Sequence, residues 1–343
     1  MYDLLVVGNG LAAQTLLFEI KKSLQLEDMN CQNFSVAQIF SEDLAPACTL
    51  RSTSTVSLNG IEEGISELGD TLRNSFYAFE AFFKEHSLPF IEPVRQTIIA
   101  TDSYKLQALN RRYKKLDQIK IPLLKTSYEG VELQSYLVVP EKIHAWFDEH
   151  LENSSINRIK DFLVSFEIDS NGDILSKTQT GLILKSRKII FCTGAYSSIF
   201  SSFFPSVQIG VNQQVVAGAY LQKKMSFSQS FLLTVDGLNL LYRRSDQNLI
   251  LGSASLNSMI SLCDISELKS IYTKFSDICQ VDLGHFEDFN LITGLRHKAS
   301  KRMPICRFVD QEKKIGVING FYKNGYSLPF YLSKVMVKEL FSL

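Results

Sequence analysis

The sequence predicts an α/β fold: a Rossmann-like domain assembled from discontinuous segments, plus a second domain of antiparallel sheet with helices. Three observations predict it. The first forty residues read strand, glycine turn, helix, strand, the order of a βαβ unit. Short apolar strands alternate with turn residues from 213 to 255, the pattern of an antiparallel sheet. A strand, a glycine-bearing loop and a helix follow from 313 to 341, and no internal repeat or Pro/Ser-rich linker separates the parts. The domains are therefore expected to interleave, 1–75 with 140–205 and 290–343 in one and 76–139 with 206–289 in the other.

Each element follows from its residues. Tyr2 to Val7 is short, apolar and closed by glycine, a buried strand. Leu11 to Leu24 is a helix with Leu11, Thr15, Phe18 and Leu24 roughly on one face, and Lys21 and Lys22 suit the negative end of its dipole. Phe34 to Phe40 is the next strand. Helices are expected at Leu68–Ser87, rich in Phe and Tyr, at Tyr104–Ile119, with a basic outer face, and at Glu141–Leu151. His144 and His150 stand six apart and do not share a helix face, so no metal pair is expected. Asp161 to Ser197 reads as strand, turn at "NGD", then strands ending in "KIIFCTG". A helix spans Ile265–Ile278, and the last helix runs from about Phe330 to Phe341.

Composition narrows the function. The chain has 343 residues, 45% of them hydrophobic, enough for a large folded core. Lys plus Arg equals Asp plus Glu at 36 each, which speaks against a globally basic nucleic-acid binder; "RRYKK" reads as a solvated helix face. Six cysteines occur without a C-x-x-C pair, so neither a disulfide framework nor a zinc site is expected, and reduced thiols in a cytoplasm fit. The N-terminus carries no basic signal-peptide region, and "LLVVGNGLAAQTLLFEI" is too interrupted for a membrane span.

"GNGLAAQ" carries the first functional signal. Gly8, Gly10 and Ala13 fit G-x-G-x-x-G/A between a strand and a helix. Gly8 allows the tight turn, Gly10 admits a pyrophosphate close to the backbone, and Ala13 lets helix pack on strand. Leu11 and Ala12 open the helix, whose free N–H groups and positive dipole end suit phosphates. An acidic residue should end the second strand and hold a ribose. "QIFSEDLAP" has Phe40 or Ser41 there, with Glu42 and Asp43 just beyond. Either Glu42 reaches back, or the ribose contact is altered.

Four segments in order resemble the glycine oxidase and D-amino-acid oxidase superfamily of FAD enzymes. Besides the N-terminal turn, "KKIGVINGFYKNGYSLPFYLSKVMVKEL" resembles that superfamily's strand, Gly-His-aromatic-Arg-Asn-Gly loop and helix, with Gly320, Tyr322, Lys323, Asn324 and Gly325 falling on it. "GLRHKASKRMPIC" is similar to its Gly-Leu-Arg-Pro segment, with His297 for the proline. "RKIIFCTGAYSS" is similar to its Ala-x-Gly-x-Trp-Ser strand end, with Gly194 in place and Tyr196 for Trp. "TLRSTSTVSLNG" stands where the superfamily runs a small-residue segment under the cofactor, so Arg51, Ser52 and Thr53 are candidate contacts.

The resemblance implies non-covalent FAD, with Gly320 to Tyr326 against the flavin ring. It implies hydride transfer from the α-carbon of an amine or amino acid, with Arg296 on the substrate carboxylate, a role suited to a planar guanidinium. Tyr242 and Arg244 fall near a Tyr-x-x-Pro-Arg strand, displaced by about two places, which keeps a strand face. Lys301 and Arg302 make the Arg296 segment unusually basic and suggest a substrate more anionic than glycine. The expected partners are a small amine or amino acid and an electron acceptor, O2 or another, with a homo-oligomer compatible and neither nucleic acid nor membrane expected. Two other readings stand beside this one: a flavoenzyme acting on a modified nucleoside or other macromolecule, and a non-catalytic flavoprotein.

Overall fold

The computed structural model describes residues 1–25, 34–41, 48–61, 64–197, 200, 214–258 and 260–341. The chain opens with β1 (Tyr2–Val7), α1 (Leu11–Gln25), β2 (Val36–Phe40), β3 (Thr55–Ser57) and α2 (Glu67–His86). It continues with β4 (Ile91–Ile99), α3 (Ser103–Tyr113), β5 (Asp117–Ile119), β6 (Tyr128–Val138) and α4 (Pro140–Glu152). Next come β7 (Asn157–Lys160), β8 (Leu163–Ile168), β9 (Ile174–Thr178) and β10 (Ile183–Phe191). The second half holds β11 (Gln214–Lys224), β12 (Phe231–Val235), β13 (Leu238–Arg243), β14 (Asn248–Asn257) and α5 (Ile265–Ile278). Last are β15 (Asn290–Lys298), β16 (Ile305–Phe308), β17 (Ile315–Asn319) and α6 (Leu328–Phe341).

Two sheets result. The first, of eight strands, runs β16-β17-β10-β1-β2-β7, with β9 on β10 and β8 on β9. Its centre is parallel: β1 pairs β10 and β2, β10 pairs β17, and β2 pairs β7. Such strands are buried on both faces and so read as apolar runs. Leu4, Val6 and Ile190 pack against Leu16, Leu17 and Ile20 of α1 and Met336, Val337 and Leu340 of α6. Leu5, Val7, Ile39 and Phe191 face Leu163, Ile174 and Phe200 on the other side. Helices α1 and α6 touch through small residues, the Thr15 and Ser333 hydroxyls lying 2.8 Å apart.

The second sheet, of nine strands, runs β15-β11-β14-β13-β12-β4-β6-β3, with β5 on β6. One face carries Leu240, Tyr242, Leu249 and Leu251 under Leu268, Ile271 and Phe275 of α5. The opposite face presents Leu137, Tyr220, Leu232, Leu241 and Ile250. Helix α2 clamps the two units together. Its Phe76, Phe79 and Phe82 cluster with Tyr136 of β6, Phe147 of α4 and Phe330 of α6. Each such ring contributes about 1.5–3 kcal/mol of burial. Ser66 caps α2 by accepting from Gly69 N–H, and Ser87 ends it in the left-handed region.

Two expectations are revised and one gap is filled. The helix expected over Tyr104–Ile119 stops at Tyr113, because Lys114 adopts φ 56° and returns its N–H to Asn110, and Asp117–Ile119 pairs as β5. Strands β4 and β6 lie in a region the apolar pattern left unassigned. Residues 290–298, expected with the cofactor unit, form β15 and pair with β11 in the second sheet, and β3 likewise joins β6. No helix among the described residues is long and apolar enough to cross a membrane.

Candidate active site

A cavity of about 770 Å³ lies between the sheets and is lined from both ends of the chain. Gly8, Gly10, Leu11 and Ala12 meet Tyr322, Lys323, Asn324, Gly325 and Tyr326 there, with Arg51, Ser52, Thr53, Gly194 and Arg296. Ala13 is instead fully buried in the packing of α1 on the first sheet. Glu42 lies outside the described residues.

The glycines divide into two kinds. Gly8 sits at φ 123°, and a Cβ there would stand 2.5 Å from the Cys192 carbonyl oxygen, so the chain itself demands glycine. Gly10 has ordinary φ, and a Cβ would meet only Thr49 Oγ1 at 3.3 Å. At Gly325 a Cβ would meet nothing within 4 Å. Both line the cavity, so the space they leave is part of it. The N-terminus of α1 offers donors to that space, since first-turn N–H groups lack intrahelical partners. Leu11 N–H already finds an oxygen, Thr49 Oγ1 at 3.2 Å.

The C-terminal loop is held from three sides. Asn319 Nδ2 donates to Gly194 O (3.0 Å) and to Ser197 Oγ, while its Oδ1 accepts from Gly320 N–H (2.8 Å). Tyr322 N–H donates to His297 O (2.9 Å). Tyr326 OH donates to Thr49 O (2.5 Å), and burial pushes its phenol well above the usual range. Loop 48–54 packs closely on β15, where a Cβ at Gly294 would lie 2.8 Å from Arg51 Cβ.

Arg296 is 6% exposed on β15. Its guanidinium lies across β11 at Gly218, where an added Cβ would stand 2.6 Å from Cζ. Cys48 hydrogen-bonds to it; burial raises the Cys48 pKa and Arg296 opposes that rise. No carboxylate among the described residues pairs with it. A buried cation without a counter-ion costs several kcal/mol, a cost that an anion in the cavity would offset. His297 beside it is buried, which lowers its pKa and favours neutral imidazole, and its Nδ1 has no partner among the described residues.

At the far end, behind the glycine turn, lies a network that sequence spacing did not reveal. His144 Nε2 contacts Asn9 O (2.9 Å), and its Nδ1 contacts Asp148 Oδ2 (2.9 Å). Arg158 Nη2 donates to Asp148 Oδ1 (2.5 Å) and to Asn9 Oδ1 (3.1 Å), and Gln14 Nε2 donates to Asp148 Oδ1 (3.1 Å). Burial alone would raise the Asp148 pKa, but the hydrogen bonds and charges of His144 and Arg158 outweigh it and hold the carboxyl below its usual value. Asp148, His144, Asn9, Phe40 and Ser41 all line the cavity.

Two candidates do not reach it. Tyr242 points to the α5 side of the second sheet, against Phe227 and Phe231. A shift of two places keeps a strand face, but here that face is the wrong one. Arg244 follows β13 and borders a separate cleft near Glu92 and Ser230. Arg243 is on the cavity-side face, but its guanidinium is committed to Ser54 Oγ, Val138 O and Asp246. Lys301 and Arg302 are exposed and do not line the cavity.

No protein-family model matches the sequence, and no curated protein matches it. Solved structures do. Iminodiacetate oxidase from Chelativorans sp. BNC1 matches with a TM-score of 0.80 at 13% identity, over 98% of this chain and 94% of that one. Glycine oxidase from Bacillus cereus matches at 0.79 and 12%, over 99% and 95%. L-α-Glycerophosphate oxidase from Mycoplasma pneumoniae, solved with FAD bound, matches at 0.80 and 14%, over 99% and 94%. Identities this low establish architecture alone: the chain shares the fold of these oxidases.

Proposed function

We propose that the protein is an FAD-dependent oxidoreductase that oxidises an amine or amino acid. The buried guanidinium of Arg296, which meets no carboxylate among the described residues, in one cavity with the Gly8–Gly10 turn and the Tyr322–Tyr326 loop, carries the reading. The cavity fits the cofactor at three points. Gly10 and Gly325 put no side chain into the cavity, α1 presents its N-terminus to a pyrophosphate, and the Tyr322–Tyr326 loop before α6 lines the wall that a flat ring would meet. When bound, FAD supplies the hydride acceptor. Arg296 then fixes a carboxylate by a two-pronged contact and thereby orients the α-carbon. Neutral His297 adds no second positive charge beside it. The basic run at Lys301 and Arg302 does not favour a more anionic substrate, since both side chains lie outside the cavity.

Purified protein, stripped of ligand and mixed with FAD, is expected to develop a flavin spectrum that small amines or amino acids bleach anaerobically. A chain that takes up no FAD would overturn the proposal.

Asp148 is assigned the ribose hydroxyls, in place of a carboxylate at the end of β2. His144, Arg158 and Gln14 orient it, and its low pKa keeps it an acceptor. A hydrogen bond to a charged group contributes about 1.5–3 kcal/mol, so Asp148→Asn is expected to weaken FAD binding by about 10–100-fold. Titration of apoprotein with FAD and with its 2′-deoxyadenosine analogue checks this. Wild type should discriminate between them and the variant should not. Equal discrimination in Asp148→Asn would return the role to another residue, Glu42 first.

A further inference from the structure

The cavity wall contributed by the second sheet carries a line of uncharged polar side chains that crosses five adjacent strands. Ser57 of β3 and Ser135 of β6 both donate to Gln96 Oε1 on β4, the latter at 3.0 Å. Gln96 Nε2 donates to Thr234 Oγ1 on β12 (2.7 Å), and the Thr234 hydroxyl donates to Asn239 Oδ1 on β13 (2.7 Å). The surrounding face is apolar, with Leu232, Leu241 and Leu137 on it, and Ser135, Thr234 and Gln96 are no more than 3% exposed. Polar groups buried on such a face lose hydration unless every bond is made. Here each donor in turn is consumed by the next acceptor, and the series ends at Asn239.

That direction determines what Asn239 offers. Its Oδ1 is taken by Thr234, which turns Nδ2 the other way. The Nδ2 amide has no partner among the described residues, and Asn239 is half-buried at the cavity. The cavity therefore has two anchors. Arg296 lies over Gly218 on β11, and Asn239 is on β13, separated from β11 only by β14; Gly218 pairs with Ser255 and Asn239 with Gly252, so the Gly218 and Asn239 backbones are about 12–14 Å apart. One anchor is a cation for a carboxylate. The other is a neutral pair of N–H donors.

We propose that this wall selects an amino acid whose far end is an uncharged oxygen acceptor, a carboxamide or a hydroxyl. The inference rests on the amine-oxidation reading above. Both common alternatives are disfavoured by the same residues. All side chains of β3, β4, β12, β13 and β14 that line the cavity are uncharged, so a second substrate carboxylate would be desolvated without a counter-ion. An alkyl end would leave the Asn239 amide unsatisfied, and sites built around a hydrogen bond reject analogues that lack it far more strongly than apolar pockets reject a methylene. Asn239 is the contacting residue. Gln96 and Thr234 are positioning residues that act through it.

The test compares isosteric substrates by anaerobic stopped-flow reduction of the FAD-loaded protein: asparagine, aspartate and leucine, then glutamine, glutamate and homoleucine, each in both enantiomers. The amide should exceed its carboxylate and alkyl isosteres in reduction rate over Kd by about tenfold or more in at least one series. Asn239→Leu should erase that preference while the flavin spectrum and FAD affinity stay unchanged. Gln96→Met should raise Kd for the amide with little change in the limiting rate, the signature of a residue that only orients Asn239. Should Asn239→Leu fail to fold, Asn239→Ser, with a shorter reach, supports the same comparison. Equal rates within each series, or a preference that survives in Asn239→Leu, would overturn the inference and leave amine oxidation standing. FAD uptake with no bleaching by any amine would instead overturn the reading beneath it.

Discussion

Arg296→Leu is expected to lower flavin reduction at limiting substrate by about a thousandfold or more, while the protein keeps its FAD and its melting temperature does not fall. The rate effect follows from losing a bidentate charged contact that orients the reacting carbon, worth about 4 kcal/mol or more when a buried carboxylate is left unpaired. The stability effect has the opposite sign to that of a structural arginine. Among the described residues this guanidinium is buried without a carboxylate, so an apolar side chain over Gly218 relieves a desolvation cost. Arg296→Lys keeps the charge but not the planar fork and should recover only part of the rate. Stopped-flow reduction alongside thermal melts decides. A large drop in melting temperature with unchanged reduction would make Arg296 a packing residue.

The second large effect is expected at the opening turn. Gly8→Ala should abolish FAD retention and destabilise the fold together. Its φ of 123° is costly for any residue with a side chain, and the new Cβ would be driven against backbone, the Cys192 carbonyl at 2.5 Å. That contact lies where Cys192 N–H donates to Val7 O (2.8 Å), so relief means parting β1 from β10 at the centre of the first sheet. Gly10→Ala is the control. Its Cβ would meet only a threonine hydroxyl, so the melting temperature should hold while FAD affinity falls. Equal losses of stability in both variants would mean that Gly10, too, is required by the chain.

The contrast between these glycines shows how far sequence reaches. Spacing located both, and the strand before and helix after them, because those signals are local. Helix α5 was readable for the same reason: Leu268, Ile271, Phe275 and Ile278 repeat at helical spacing on its buried face. Strand β4 was not. Pro93, Glu92 and Arg95 interrupt its first half, and its burial changes from alternating to continuous within nine residues. Tyr242 failed differently. Strand periodicity tells which residues share a face, but the packing of α5 against that face determined which side met the cavity. The Gln96 relay left no local trace, since it joins single polar residues from distant strands. His144 and Asp148 stand four apart on α4, but Asn9 and Gln14 reach them from the other end of the fold, which only the folded sheets bring together.

The pairing order of the first sheet also bears on how the chain is made. Strand β10, at the middle, lies between β1 and β17, so its neighbours come from opposite ends of the sequence. Thr49 meets Tyr326 and Thr15 meets Ser333, contacts 277 and 318 residues apart. A growing polypeptide on the ribosome therefore holds the phosphate turn long before it holds the wall that closes the cavity. Such distant closure is slow, and it leaves the apolar faces of α1 and β1 uncovered meanwhile. Both walls of the cavity are present only once the loop before α6 has been made.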